Sequence, residues 1–149
     1  MTSKMDVYAL CPCGSGKKVK FCCQAVLGEM DKVARLHETK QSAQALSVLE
    51  RLAEKHPEAP IVFITRAQLL MEERRFDEAA MTMQGFLKDN PDSSHGIGLL
   101  AYARFMDVGF QEAKPEIHRA FQICPQSSPD VIGSLASQIA DDVFYSSSM

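Results

Sequence analysis

Four of the five cysteines in this 149-residue chain fall in one string, Cys11-Pro12-Cys13 and Cys22-Cys23, with the spacing C-x-C-x8-C-C. Two close pairs of soft sulfur donors on either side of a short loop can occupy the corners of a tetrahedron, the arrangement a structural zinc ion requires. Gly14 and Gly16 let the chain turn back after the first pair. Four thiolates around one divalent cation leave two formal negative charges, which Lys17, Lys18 and Lys20 can offset. One structural zinc ion on Cys11, Cys13, Cys22 and Cys23 is therefore the expectation. A redox or vicinal-disulfide role, cysteines with no joint role, and iron in place of zinc stay open beside it. A catalytic zinc is disfavoured, because four protein ligands leave no position for water. Metal removal is expected to disorder residues 8–25 while helices elsewhere persist. Cys124 stands apart and reads as a small packed hydrophobe.

The elements that carry this string announce themselves by a 34-residue period. Pro57, Pro91 and Pro125 recur at that interval, as do Ala45, Ala79 and Ala113, with Leu49, Met83 and Ile117 four residues after each alanine. Phe76-Asp77-Glu78-Ala79 returns as Phe110-Gln111-Glu112-Ala113, whereas the first unit has Ser42 at the aromatic position. Apolar residues within each unit keep helical spacing, as in Leu49, Leu52 and Ala53. The spacing predicts helical hairpins with helices at 27–39 and 42–56, 60–73 and 76–89, and 95–107 and 110–123, the last starting late or bending at Pro115. Ser128-Pro129-Asp130 then reads as a helix start, and Val131, Leu135, Ile139 and Val143 share a face. That seventh helix is expected to cap the last hairpin, or to open a fourth repeat in a longer parent.

A 34-residue helical hairpin with small residues at its eighth and twentieth positions and a terminal proline resembles the tetratricopeptide repeat. The eighth position holds Val33, Ala67 and Ala101, and the twentieth holds the alanine series. Departures occur at the fourth position (Glu29, Phe63, Ile97) and at the eleventh (Leu36, Leu70, Arg104). The expected fold is all-α: a zinc knuckle over 1–25, three tetratricopeptide-like repeats at about 26–59, 60–93 and 94–127, and a capping helix and tail over 128–149.

The cysteine string, with its Gly14-Ser15-Gly16-Lys17-Lys18 loop, resembles the SEC-C motif, the small zinc module named from the C-terminus of the SecA translocation ATPase. The likeness covers residues 11–23. It departs from the common pattern in having Cys23 where histidine is often found, Gln24 where glycine is common and Val19 where tyrosine is frequent. The resemblance implies a docking role toward other proteins, a chaperone and the ribosome among them.

Charge divides the same way. Up to Gln24 there are four lysines against Asp6, and beyond it 12 basic against 18 acidic residues, so a basic head precedes an acidic body. No stretch approaches the roughly 20 apolar residues of a membrane span, and none near the start suits a signal peptide; a soluble, cytoplasmic protein without membrane insertion is expected. Gly14-Ser15-Gly16-Lys17 lacks the spacing of a phosphate loop. No acid pair or catalytic triad appears, and His37, His56, His95 and His118 pair with nothing in sequence. Neither an enzyme nor a small-molecule substrate is therefore expected.

In the repeat register, the concave face of the inner helices is expected to present Ile61, Ile64, Gln68, Met71 and Glu72, then His95, Gly98, Tyr102, Phe105 and Met106. Lys17, Lys18 and Lys20 of the knuckle, with Ile61, Ile64, Met71, Tyr102, Phe105 and Met106 of the groove, are the candidate partner-binding residues. The reading is a non-enzymatic adaptor for protein or peptide partners. The alternatives are an accessory region of a larger enzyme, or a ribosome- or RNA-binding module that uses the lysines on phosphates.

Overall fold

The structure, a computed structural model, describes residues 6–13, 15–123, 136–137 and 139–140. Six helices follow two 3-10 turns at Val19–Phe21 and Gln24–Val26: α1 (Leu27–Glu38), α2 (Ser42–Lys55), α3 (Pro60–Glu72), α4 (Phe76–Asp89), α5 (Ser94–Val108) and α6 (Phe110–Ile123). Every end lies within one residue of the sequence expectation. Among the described residues there is no strand, and one isolated antiparallel bridge joins Leu10 to Lys18.

Local chemistry explains the starts. Pro60 opens α3, where its missing N–H costs nothing, and the Ser93 hydroxyl accepts the Gly96 N–H at 3.1 Å to cap α5. A Cβ on Gly96 would lie 3.0 Å from the Phe86 ring and from Leu87 Cδ2, so glycine lets α5 approach α4 closely. α6 begins at Phe110, where the spacing places it, and runs through Pro115 without starting late. Ala113, Ile117 and Ala120 bury their face of α6, while Pro115 and Gln111 are exposed, so the carbonyl that loses its intrahelical partner faces water.

Small residues sit where helices meet. Ala67, Ala101, Ala45, Ala79 and Ala113 are fully buried, and Leu49 and Met83 fill the space beside the alanines. Burial of a side chain of that size contributes roughly 2 kcal/mol. Among the described residues the core forms three clusters along the array: one joining α1, α2 and α3, one joining α3, α4 and α5, and one between α5 and α6. Ile139 packs on the third cluster, and residues 136, 137, 139 and 140 are helical. The rest of the expected capping helix, and Cys124, lie outside the described residues.

The first cluster also contains Cys11, Cys13, Val19, Cys23 and Val26, packed with Val33, Leu49, Ala59 and Val62. The cysteine string and the first hairpin thus bury one common core.

Candidate functional site

The cysteine string folds back on itself through short backbone links. The Cys11 N–H donates to Lys17 O at 2.8 Å, Val19 N–H to Ala9 O at 3.0 Å and Lys20 N–H to Val7 O at 2.8 Å. Gly16 supplies the turn with φ at +78°, a conformation that favours glycine. Val19 is fully buried and packs in the first core cluster with Cys11, Cys13 and Cys23.

These links bring the four sulfur atoms within 4.8 Å of one another. Cys13 Sγ lies 3.5 Å from Cys22 Sγ, which lies 3.6 Å from Cys23 Sγ. Four sulfurs at about 2.3 Å from a tetrahedral ion stand roughly 3.8 Å apart, so the spacing and the all-sulfur donor set fit a single soft or borderline cation. Cys11, Cys13 and Cys23 are buried. Burial pushes the Cys11 thiol up to about 11, whereas a hydrogen bond from the Cys23 thiol holds Cys13 down at about 4. Cys23, as donor in that bond, is raised. A cation bound here would displace the protons that these thiols carry. Two outer contacts orient the donors. Ser15 Oγ lies 3.3 Å from Cys22 Sγ while accepting the Lys17 N–H at 3.3 Å, and the Ile61 backbone N–H at the start of α3 donates to Cys23. The second contact ties the centre to the repeat array.

Lys17, Lys18 and Lys20 are exposed on the outside of the knuckle. Lys20 Nζ stands 5.4 Å from the centre of the Tyr8 ring and 5.8 Å from that of Phe21. Tyr8, Leu10 and Phe21 are 61–71% exposed, so the lysines border an apolar patch that the sequence reading did not single out. Its signal was available, as large apolar residues flanking a cysteine string too short to bury them.

The expected groove residues divide. Ile64, 2% exposed, and Phe105, 6% exposed, belong to the second and third core clusters, which corrects their assignment to the partner surface: neighbouring helices cover both side chains. Ile61, Met71, Tyr102 and Met106 are half-buried, each packed against a core cluster. Gln68 and Glu72 are exposed. A groove of about 880 Å³ does exist, but it lies between α1 and α3 and is closed at one end by Val7, Pro12 and Gln24 of the knuckle. Leu27, Met30 and Ile61 give it apolar walls, and Asp31, Thr65, Gln68 and Glu72 give it polar ones. His37 Nε2 pairs with Glu72 Oε2 at 2.5 Å across it. His56 pairs with Glu58 at the end of α2.

Residues 36–101, from the end of α1 into α5, match the family model of the tetratricopeptide repeat. No curated protein and no solved structure matches the chain. No helix among the described residues is long and apolar enough to cross a membrane.

Proposed function

We propose that this chain is a cytoplasmic, non-enzymatic adaptor in which a zinc-bearing knuckle and a short repeat array present two protein-binding surfaces. One observation carries the reading: the knuckle that gathers the four sulfurs also exposes Tyr8, Leu10 and Phe21 beside lysines, on a scaffold similar to an interaction repeat. Cys11, Cys13, Cys22 and Cys23 would hold one zinc ion, whose contribution is to fix the knuckle, since all four of its positions go to sulfur. Exposed aromatic and aliphatic side chains rimmed by charge are the composition of a docking face. The likeness of residues 11–23 to the SEC-C motif directs that face toward protein-export, chaperone or ribosome-associated partners.

Metal analysis of the purified chain should give one zinc per chain, and Cys22→Ser should lose it. Crosslinking in cell lysate should give protein partners joined near the knuckle, and Tyr8→Ser with Phe21→Ser should remove those crosslinks without changing zinc content or helicity. Zinc-free native protein, or the same crosslinks in the double variant, would overturn the reading.

A further inference from the structure

The groove between the knuckle, α1 and α3 has a charge that its apolar walls do not reveal. Asp31 and Glu72 line it, and among the described residues no lysine or arginine does. The knuckle lysines at 17, 18 and 20 are absent from its lining. Asp31 has no ion-pair partner among the described residues, and Glu72 meets only His37, itself part of the wall. The chain beyond Gln24 as a whole is acidic, with 18 acidic residues against 12 basic ones. A concave, low-dielectric site lined by one sign of charge concentrates ligands of the opposite sign. Its volume of about 880 Å³ suits a short segment of chain, not a whole domain face.

We infer that this groove takes a short, extended protein segment that sets apolar side chains against Leu27, Met30 and Ile61 and presents lysine or arginine side chains to Asp31 and to Glu72. The inference rests on the reading of the array as a protein-binding scaffold, and it names the chemistry of the segment. It also makes the knuckle part of the site, because Val7, Pro12 and Gln24 form its end wall. The segment would run from the metal centre along the inner helices, with Gln68 and Thr65 available to its backbone amides.

The test uses zinc-loaded full chain and three fluorescein-labelled peptides of equal length, composed of Leu and Lys, Leu and Glu, or Ser and Lys. Fluorescence anisotropy should show the Leu/Lys peptide binding at least about tenfold more tightly than the other two. Asp31→Asn with Glu72→Gln should weaken it by about tenfold, the loss expected for two partly solvated charge contacts. Helicity and zinc content should stay unchanged in that variant. Lys17→Ala, Lys18→Ala and Lys20→Ala together should leave binding intact, since those lysines lie outside the groove. Gln68→Trp should block the site by bulk. Equal binding of both leucine peptides, each abolished by Gln68→Trp, would leave the scaffold reading standing and overturn the charge selection. Absence of binding by any of the peptides would remove the groove from the adaptor reading as well, and an unweakened Asp31→Asn/Glu72→Gln variant would place the cation elsewhere.

Discussion

Arg104 and Glu116 stand at the places that the first repeat fills with Leu36 and Val48 and the second with Leu70 and Thr82. Arg104 Nε lies 3.3 Å from Glu116 Oε1, the side chains 27% and 25% exposed. Among the described residues, Arg104 Nε and Glu116 Oε2 are buried without a hydrogen bond. An ion pair taken partly out of water returns less than it loses in hydration unless its remaining donors and acceptors are filled, and removing one partner strands the other. Glu116→Ala should therefore destabilise the chain by about 1–2 kcal/mol. Arg104→Leu with Glu116→Val, which restores the apolar pair of the first repeat, should be on the order of 1 kcal/mol more stable than the native chain. Urea denaturation followed by circular dichroism measures both, and a double variant less stable than Glu116→Ala would refute the argument.

At the scale of the helix, the repeats share an ending that their residues do not favour. Lys40 and Arg74, 34 positions apart, both take φ of 60°. Each closes its helix in the same way: Lys40 N–H donates to His37 O and Gln41 N–H to Leu36 O, while Arg74 N–H donates to Met71 O and Arg75 N–H to Leu70 O. Glycine normally occupies that left-handed position. Lys40→Gly and Arg74→Gly should each stabilise the chain by about 0.5–1 kcal/mol, the relief of the left-handed strain exceeding the added freedom of the unfolded chain. In the third repeat the equivalent residue, Val108, is still helical, and the positive φ falls one place later, on Gly109 at 86°, a conformation that an L side chain rarely adopts, so Gly109→Ala should cost about 1 kcal/mol. Thermal melts of the three variants check the signs. The helices themselves were legible in the sequence, because one buried face per helix imposes a 3.6-residue rhythm and close helix contacts demand Ala67, Ala101 and the alanine series. The covering of Ile64 and Phe105 was not legible. A helical period identifies which residues leave a helix on one side, but which of them a neighbouring helix then covers depends on packing between repeats.

Over the whole molecule, the gathering of the four cysteines was legible because residues close in sequence on either side of a short loop are easily brought close in space. What the string gave no sign of is that its buried residues join the core of the first hairpin and that Ile61 of α3, more than 30 residues away, hydrogen-bonds Cys23. Metal removal should then reach further than residues 8–25. Hydrogen exchange after chelation should accelerate throughout the knuckle, in α1 and in the first turn of α3, and remain unchanged in α4, α5 and α6, whose cores lie elsewhere. Acceleration confined to the knuckle would show that the shared core holds without its metal. The same union bears on how such chains can be reshuffled in evolution. A cut at residue 25 is no seam, because it strips the cover from Val33 and Val62 on one side and removes the Cys23 contact on the other. A foreign repeat array that received residues 1–25 alone should therefore leave the buried face of the knuckle without Val33, Leu49, Ala59 and Val62 to pack on.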